Sequence, residues 1–296
     1  MIKQIIRLLR YKQWIKNGFV FLPMFFGGRL GDPYCWLHAI IAFVSFSSLA
    51  SSIYCINDIK DVEADRRHPK KCHRPIASGV VSIPTAWCMT FILVVFSFAF
   101  LIFLPASEAW KCAAIGVSYF IMNILYCLWL KHYAIIDVFI ISIGFVLRLV
   151  DGGLACDIPL SPWIICMTFL LALFLAFAKR RDDLLINRLN PGAKPIRRSS
   201  AGYNMEFLNL TLGVLSSITV VCYLLYCVSD DTVNRFHTSY VYLTFIPVLA
   251  AVLRYLLLAV ARGESGSPTK VLYSDRFIQV CILVWSLSFA LIIYRV

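Results

Sequence analysis

The stretch N-D-I-K-D-V-E-A-D-R-R-H-P-K-K-C-H-R-P-I-A-S-G, residues 57–79, stands between two long apolar runs, 34–56 and 82–104. Runs near 20 residues with almost no charge are long enough to cross a bilayer as helices. A dense block of acids and cations between two such runs therefore marks a loop at a membrane edge. Asp58, Asp61 and Asp65 are spaced i, i+3 and i+7. On a helix these positions fall within an arc of roughly 60°. Three carboxylates on one face repel one another unless positive charge sits among them, and a divalent cation is one natural source.

The rest of the chain extends the pattern. Of 296 residues, 60% are hydrophobic and only 15% charged, with mean hydropathy +0.78. A soluble domain carries about a quarter charged residues. The composition excludes an ordinary soluble enzyme and predicts an all-α polytopic membrane protein, a single integral membrane domain over residues 1–296. Nine candidate spans follow: 15–29, 34–56, 82–104, 109–130, 134–155, 161–178, 206–228, 238–261 and 274–294. Residues 1–16, with Lys3, Arg7, Arg10, Lys12 and Lys16 among Ile2, Ile5, Ile6, Leu8 and Leu9, suit a basic amphipathic helix on the membrane surface rather than a cleaved signal.

Charge orients the bundle. With the N-terminus inside, 22 lysines and arginines fall on the cytoplasmic face against four outside, and Arg148 and Arg254 lie within spans. The positive-inside rule then places the 57–81 and 179–205 loops in the cytoplasm. The net charge of +12 is in large part this topology signal and calls for no nucleic-acid partner. The two loops follow the second and sixth spans, which suggests two four-helix halves and a ninth helix. The 11 cysteines lie mostly in apolar runs without a C-x-x-C pair, and read as small buried hydrophobes. Cys72 with His68 and His73 lacks a fourth ligand at zinc spacing.

Oxygen ligands at a wet helix end suit Mg²⁺ better than zinc. Asn57, Asp58, Asp61 and Asp65 are the candidate metal ligands, with the three aspartates as the catalytic candidates. Arg66, Lys70 and Arg74 are placed to bind phosphate oxygens. A solvated loop whose acids pair with positive-inside cations is the competing reading. The 179–205 loop opens with Lys179, Arg180, Arg181, Asp182 and Asp183; Lys179, Asp182 and Asp183 share a face, and Arg198 and Tyr203 follow. Salt-bridged charges at a helix end explain that pattern as well as a site does. Lys16 and Asn17 in K-Q-W-I-K-N, with Tyr126, Lys131 and Asp137 at the next cytoplasmic turn, complete the substrate-binding candidates. Trp14 reads as an interface anchor. Arg148 and Asp151, one turn apart in the fifth span, are expected to pair with each other.

N-D-x-x-D-x-x-x-D at 57–65, at the end of a second span, resembles the UbiA-type prenyltransferase superfamily. Further pieces resemble its branch that transfers phosphoribose to polyprenyl phosphate: D-R-x-H-P-x-K-x-x-R-P-I-A-S-G at 65–79, K-Q-W-I-K-N at 12–17, G-F-V-L-R at 144–148, A-K-R-R at 178–181 and R-R-S-S-A-G-Y-N at 197–204. The tail adds R-Y near 254, G-E-S-G-S-P-T-K at 263–270 and S-D-R near 275. The resemblance implies a nine-helix bundle, a cytoplasmic Mg²⁺–diphosphate site, and the bacterial inner membrane. It also implies phosphoribosyl diphosphate and a polyprenyl phosphate as substrates; a second copy of the chain as partner is left open. The D-x-x-x-D that aromatic prenyltransferases carry after the sixth span is replaced here by Lys179-Arg180-Arg181-Asp182-Asp183. That departure disfavours transfer of a prenyl chain to an aromatic acceptor. A lipid-phosphate transporter would trace charge through the bilayer, whereas the polar chemistry here keeps to one face. Arg10-Tyr11 stands where the branch has Arg-Pro.

Overall fold

A computed structural model describes residues 2–67, 71–189, 202–261, 271 and 274–294. Every regular element among them is helical. The chain divides into two compact units: residues 1–131 with 144–160, and residues 132–143 with 161–296.

In the first unit α1 (Ile2–Leu8) leads into a 3₁₀ segment (Tyr11–Phe21) and α2 (Leu22–Phe26). Arg10 divides α1 from the 3₁₀ run by taking the left-handed conformation, φ 51°. Then come α3 (Pro33–Lys60), α4 (Val62–Arg66), α5 (Ile83–Phe100) and α6 (Ala106–Leu128). Helix α7 (Ile136–Ala155) contributes its residues from Gly144 onward to this unit. Asp32 caps α3, its carboxylate accepting from the amides of Tyr34 and Cys35, with Pro33 at the first helical position. Ser82 caps α5 by accepting from the Thr85 amide.

Helix α3 is the axis of this unit, and its serines explain why. Ser45 Oγ donates to the Ser97 carbonyl at 2.9 Å and Ser97 Oγ donates to the Ser45 carbonyl at 2.8 Å, zipping α3 to α5. Small hydroxylated residues let two backbones approach closely where no water competes. On another face Ser47 accepts from Asn17 Nδ2 at 2.8 Å, while Ser51 donates to the Leu9 carbonyl and accepts from Trp14 Nε1. The 3₁₀ segment is thereby bonded to α3 through Trp14 and Asn17, and the chain just before it through the Leu9 carbonyl. Trp14, read above as an interface anchor, also packs edge-on against Phe43.

The second unit holds α7 up to Ile143, α8 (Pro162–Leu189), α9 (Met205–Val228), α10 (Asp230–Phe236), α11 (Phe245–Leu256), a π-helical turn (Leu257–Ala261) and α12 (Arg276–Tyr294). Leu173, Phe177, Leu208, Leu212, Leu258 and Ile278 build its core. Tyr223 joins its hydroxyl to Thr244 and accepts from Trp285 Nε1, tying α9 to both later helices.

Seven helices among the described residues are long and apolar enough to cross a membrane. Large side chains such as Phe91, Ile102 and Leu210 are well exposed along them, as lipid-facing residues are. This is an integral membrane chain of all-α class. Two of the nine predicted spans take other forms. The 15–29 stretch is a 3₁₀ run followed by a five-residue helix, and 274–294 is a shorter apolar helix over Arg276–Ile292. The expected Arg148–Asp151 pair is also replaced. Arg148 donates from Nε to Asn17 Oδ1 (2.7 Å), from Nη2 to the Tyr119 hydroxyl (2.9 Å) and from Nη1 to the Gly144 carbonyl (2.6 Å). Its guanidinium also lies against the rings of Phe46, Tyr119 and Phe145. Asp151 is buried one turn further along α7, yet the guanidinium is satisfied by these neutral partners from the 3₁₀ segment, α6 and its own helix.

Candidate active site

The end of α3 carries the acid block of the first unit. The single helical face expected for its aspartates is interrupted: α3 stops at Lys60, Asp61 is its cap, and α4 restarts at Val62. The Asp61 amide still donates to the Asn57 carbonyl and the Asp65 amide to the Asp61 carbonyl, so the turns stay stacked. Asp58 and Asp65 are buried, at 2% and 3% exposure, while Asp61 is half-buried.

Each aspartate is held by a cation. Arg74 Nη1 donates to Asp58 Oδ1 at 2.9 Å and to Asp65 Oδ2 at 2.5 Å, bridging the two carboxylates. Arg10 Nη2 donates to Asp58 Oδ1 at 2.5 Å, and its guanidinium lies 5.1 Å from the centre of the Tyr54 ring. Lys131 Nζ grips both oxygens of Asp61 at 2.8 and 3.0 Å. Arg66 is exposed, paired with Glu63 and bonded to the Ala77 carbonyl. Asn57 Oδ1 accepts from Cys127 Sγ at 3.6 Å.

Arg10 is the functional candidate that sequence reasoning omitted. The signal was present in the R-Y-K-Q-W run, but only the left-handed turn and the serine contacts of α3 carry that arginine to Asp58. Asn17 goes the other way. It is 1% exposed and spans Ser47 and Arg148, and Ser47 lies three turns of α3, roughly 16 Å, from Asp58. The structure therefore places Asn17 in the core of the unit, apart from the acid cluster. Tyr126 packs beside the cluster of Phe46, Leu49 and Tyr119, and Lys16 is half-buried. Lys70 and Arg198 lie outside the described residues.

The donor chemistry of the acid block fits a hard cation, and a positively charged nitrogen already bridges Asp58 and Asp65. With Arg10, Arg74 and Lys131 in these positions, no three His, Cys, Asp or Glu side chains among the described residues are arranged to hold a metal together. A metal on these oxygens would require the bridging arginine to move.

The second unit buries a separate polar cluster at the end of α8. Arg180 is 1% exposed, and its Nε donates to Asp137 Oδ2 at 2.7 Å. Its Nη1 lies 3.5 Å from Asp183 Oδ2. Tyr203 donates to Asp137 Oδ1 at 3.0 Å and accepts the Ile135 amide. Burial first, and then the neighbouring Asp137 carboxylate, push the Tyr203 hydroxyl up to about 12, against the lowering effect of the Ile135 amide. Arg181 donates to Asn209 Oδ1 at 2.7 Å. Asp182 and Asp183 are buried beside these arginines, and Lys179 is exposed.

A membrane-spanning helical fold, with acid and base clusters at helix ends, defines a class that comparison with known proteins makes specific. Residues 19–271 match the UbiA prenyltransferase family, and the chain belongs to that family. The decaprenyl-phosphate phosphoribosyltransferase of Mycolicibacterium smegmatis is 36% identical over 295 residues, covering 96% of this chain and 91% of that protein. The Corynebacterium glutamicum protein of the same name is 34% identical, covering 98% and 86%. A UbiA homolog from Archaeoglobus fulgidus bound to GPP and Mg²⁺ shares the fold, with TM-score 0.70 and 18% identity over 99% of this chain and 98% of that one.

Proposed function

We propose that this chain transfers 5-phosphoribose from phosphoribosyl diphosphate to a polyprenyl phosphate, releasing diphosphate. The carrying observation is that one chain holds both an intact acid block and a basic second motif. Asp58, Asp61 and Asp65 are kept, while Arg180 and Arg181 are buried where an aromatic prenyltransferase carries further acid. Full-length likeness to phosphoribosyltransferases supports the same reading.

In the reaction a phosphate oxygen of the lipid forms a bond to C1 of the ribose. The C1–O bond to diphosphate breaks, and the electron pair leaves with the diphosphate. The lipid phosphate is already an anion at neutral pH, so no side chain has to remove a proton from it. Asn57, Asp58, Asp61 and Asp65 would hold Mg²⁺, which when bound supplies Lewis-acid neutralisation of the leaving group. Arg74 and Arg10, displaced from the carboxylates, would turn their guanidinium forks to phosphate oxygens. Lys16, Arg66, Lys70, Lys131, Lys179, Arg180, Arg181 and Arg198 are the further cations proposed for the anionic substrates, with Asp182, Tyr126, Asp137 and Tyr203 shaping the surroundings. Asn17 contributes by fixing the 3₁₀ segment that carries Lys16. The proposed setting is a helical bundle in a bacterial inner membrane with both polar clusters cytoplasmic.

The test is direct. Purified protein is incubated with Mg²⁺, labelled phosphoribosyl diphosphate and polyprenyl phosphates of several lengths. A labelled lipid is expected. Folded protein that labels none of them, yet prenylates an aromatic acid or moves lipid phosphate across a vesicle, would overturn the reading in favour of those alternatives.

A further inference from the structure

Four side-chain donor atoms buried in the second unit have no hydrogen-bond partner among the described residues: Arg180 Nη1 and Nη2, Arg181 Nη1 and the Tyr255 hydroxyl. Arg181 and Tyr255 are each 5% exposed. The Arg181 fork is pinned on two sides, Nε donating to Asn209 Oδ1 at 2.7 Å and Nη2 to the Val260 carbonyl at 3.4 Å. Its Nη1 has no hydrogen-bond partner among the described residues. Tyr255 sits near the end of α11, its ring edge-on to Phe174 with centroids 5.2 Å apart, and its hydroxyl likewise has no hydrogen-bond partner among the described residues. The two lie within electrostatic reach of each other and of Asp182. Val260 belongs to the π-helical turn that directly follows α11, so the element holding Arg181 is itself an irregular one of the kind common at ligand sites.

A buried donor without an acceptor is rare because it loses its water and gains nothing in return. The Arg180 fork faces Asp137 and Asp183, whereas Arg181 and Tyr255 bring such donors from two different helices, a combination that suits an oxygen-rich anion. A guanidinium edge and a phenol hydroxyl suit the tetrahedral oxygens of a phosphate. Asp182 balances the arginine's charge, so recognition here rests on directed hydrogen bonds more than on net charge.

We infer that Arg181 and Tyr255 bind the terminal phosphomonoester of a substrate, Tyr255, the tyrosine of the R-Y pair at 254–255, being a ligand-contacting residue. The inference rests on the phosphoribosyl-transfer reading, in which both the sugar 5-phosphate and the lipid phosphate are phosphomonoesters. The test measures binding of ribose 5-phosphate, ribose and a polyprenyl phosphate to the full-length protein by calorimetry, alongside thermal unfolding, for wild type, Tyr255→Phe and Arg181→Lys. Tyr255→Phe removes a hydroxyl that has no hydrogen-bond partner among the described residues, so its thermal midpoint is expected to hold or rise. Its affinity for one phosphomonoester is expected to fall about tenfold, with Arg181→Lys weakening the same ligand. Loss of ribose 5-phosphate binding, with ribose inert throughout, assigns the sugar phosphate; loss of polyprenyl phosphate binding assigns the lipid. A Tyr255→Phe protein that keeps both affinities overturns the inference, whether or not its midpoint falls. Wild-type protein that binds a phosphomonoester through this pair but transfers no phosphoribose would remove the proposed reaction and leave the Arg181–Tyr255 binding inference standing.

Discussion

Asp58 and Asp61 differ in what their removal exposes. Asp58 is buried under Arg10 and Arg74, so its loss takes the carboxylate from Arg10 and leaves Arg74 with Asp65 alone, which confounds catalysis with folding. Asp61 is half-buried against Lys131 alone, which makes Asp61→Ala the cleaner probe. Turnover of Asp61→Ala is expected to drop by about 100-fold with the thermal midpoint close to wild type; near-normal rates would remove Asp61 from the metal set. Tyr203 supplies a pH signature. Its hydroxyl is raised from 10 to about 12, so its stabilising contribution is whole below pH 10 and is lost as pH rises through about 12. Thermal midpoints recorded across that alkaline range are expected to fall in wild type and to fall less steeply in Tyr203→Phe. Sequence spacing named Asp58, Asp61, Asp65, Asp137, Arg180 and Tyr203 because charge in an apolar chain is conspicuous. It gave no site role to Arg10 or to the Tyr255 of R-Y, since one reaches Asp58 through a left-handed turn and the other stands out by a hydroxyl with no partner among the described residues.

Among the elements, the 3₁₀ segment departs furthest from its sequence pattern. Residues 15–29 look apolar enough to be a span, yet Asn17, Trp14 and the Leu9 carbonyl are bonded to serines of α3. Those bonds outweigh a regular helix that would leave the serine face of α3 unmatched. The segment also runs against α7 at Gly152, where a Cβ would stand 1.9 Å from the Val20 carbonyl oxygen. Gly152→Ala must push backbone from backbone, and is expected to cost about 1–3 kcal/mol of stability, read as a lower unfolding midpoint. Because the same segment carries Arg10 to Asp58, activity in this variant is expected to fall along with stability. A midpoint equal to wild type would show that the contact relaxes freely.

For the molecule as a whole, metal removal is the decisive perturbation. Arg10, Arg74 and Lys131 already neutralise the three aspartates, so the fold does not depend on a bound cation for charge balance. Chelation is therefore expected to abolish transfer while leaving the unfolding midpoint nearly unchanged, and added Mg²⁺ to restore activity. A large midpoint loss on chelation would mean that the metal, rather than these cations, holds the acid block together.

By itself the sequence determined the membrane class, the helical content, the family and the position of the acid block. These depend on hydrophobic run length and local spacing, which the bilayer enforces along the chain. Only the tertiary structure decided which cation answers each aspartate. It also decided that Arg148 turns to Asn17 and Tyr119 instead of Asp151, and that Arg181 and Tyr255 are left with unanswered donors. Those outcomes rest on contacts between residues tens of positions apart, where geometry among packed helices selects the partner and charge along the chain does not.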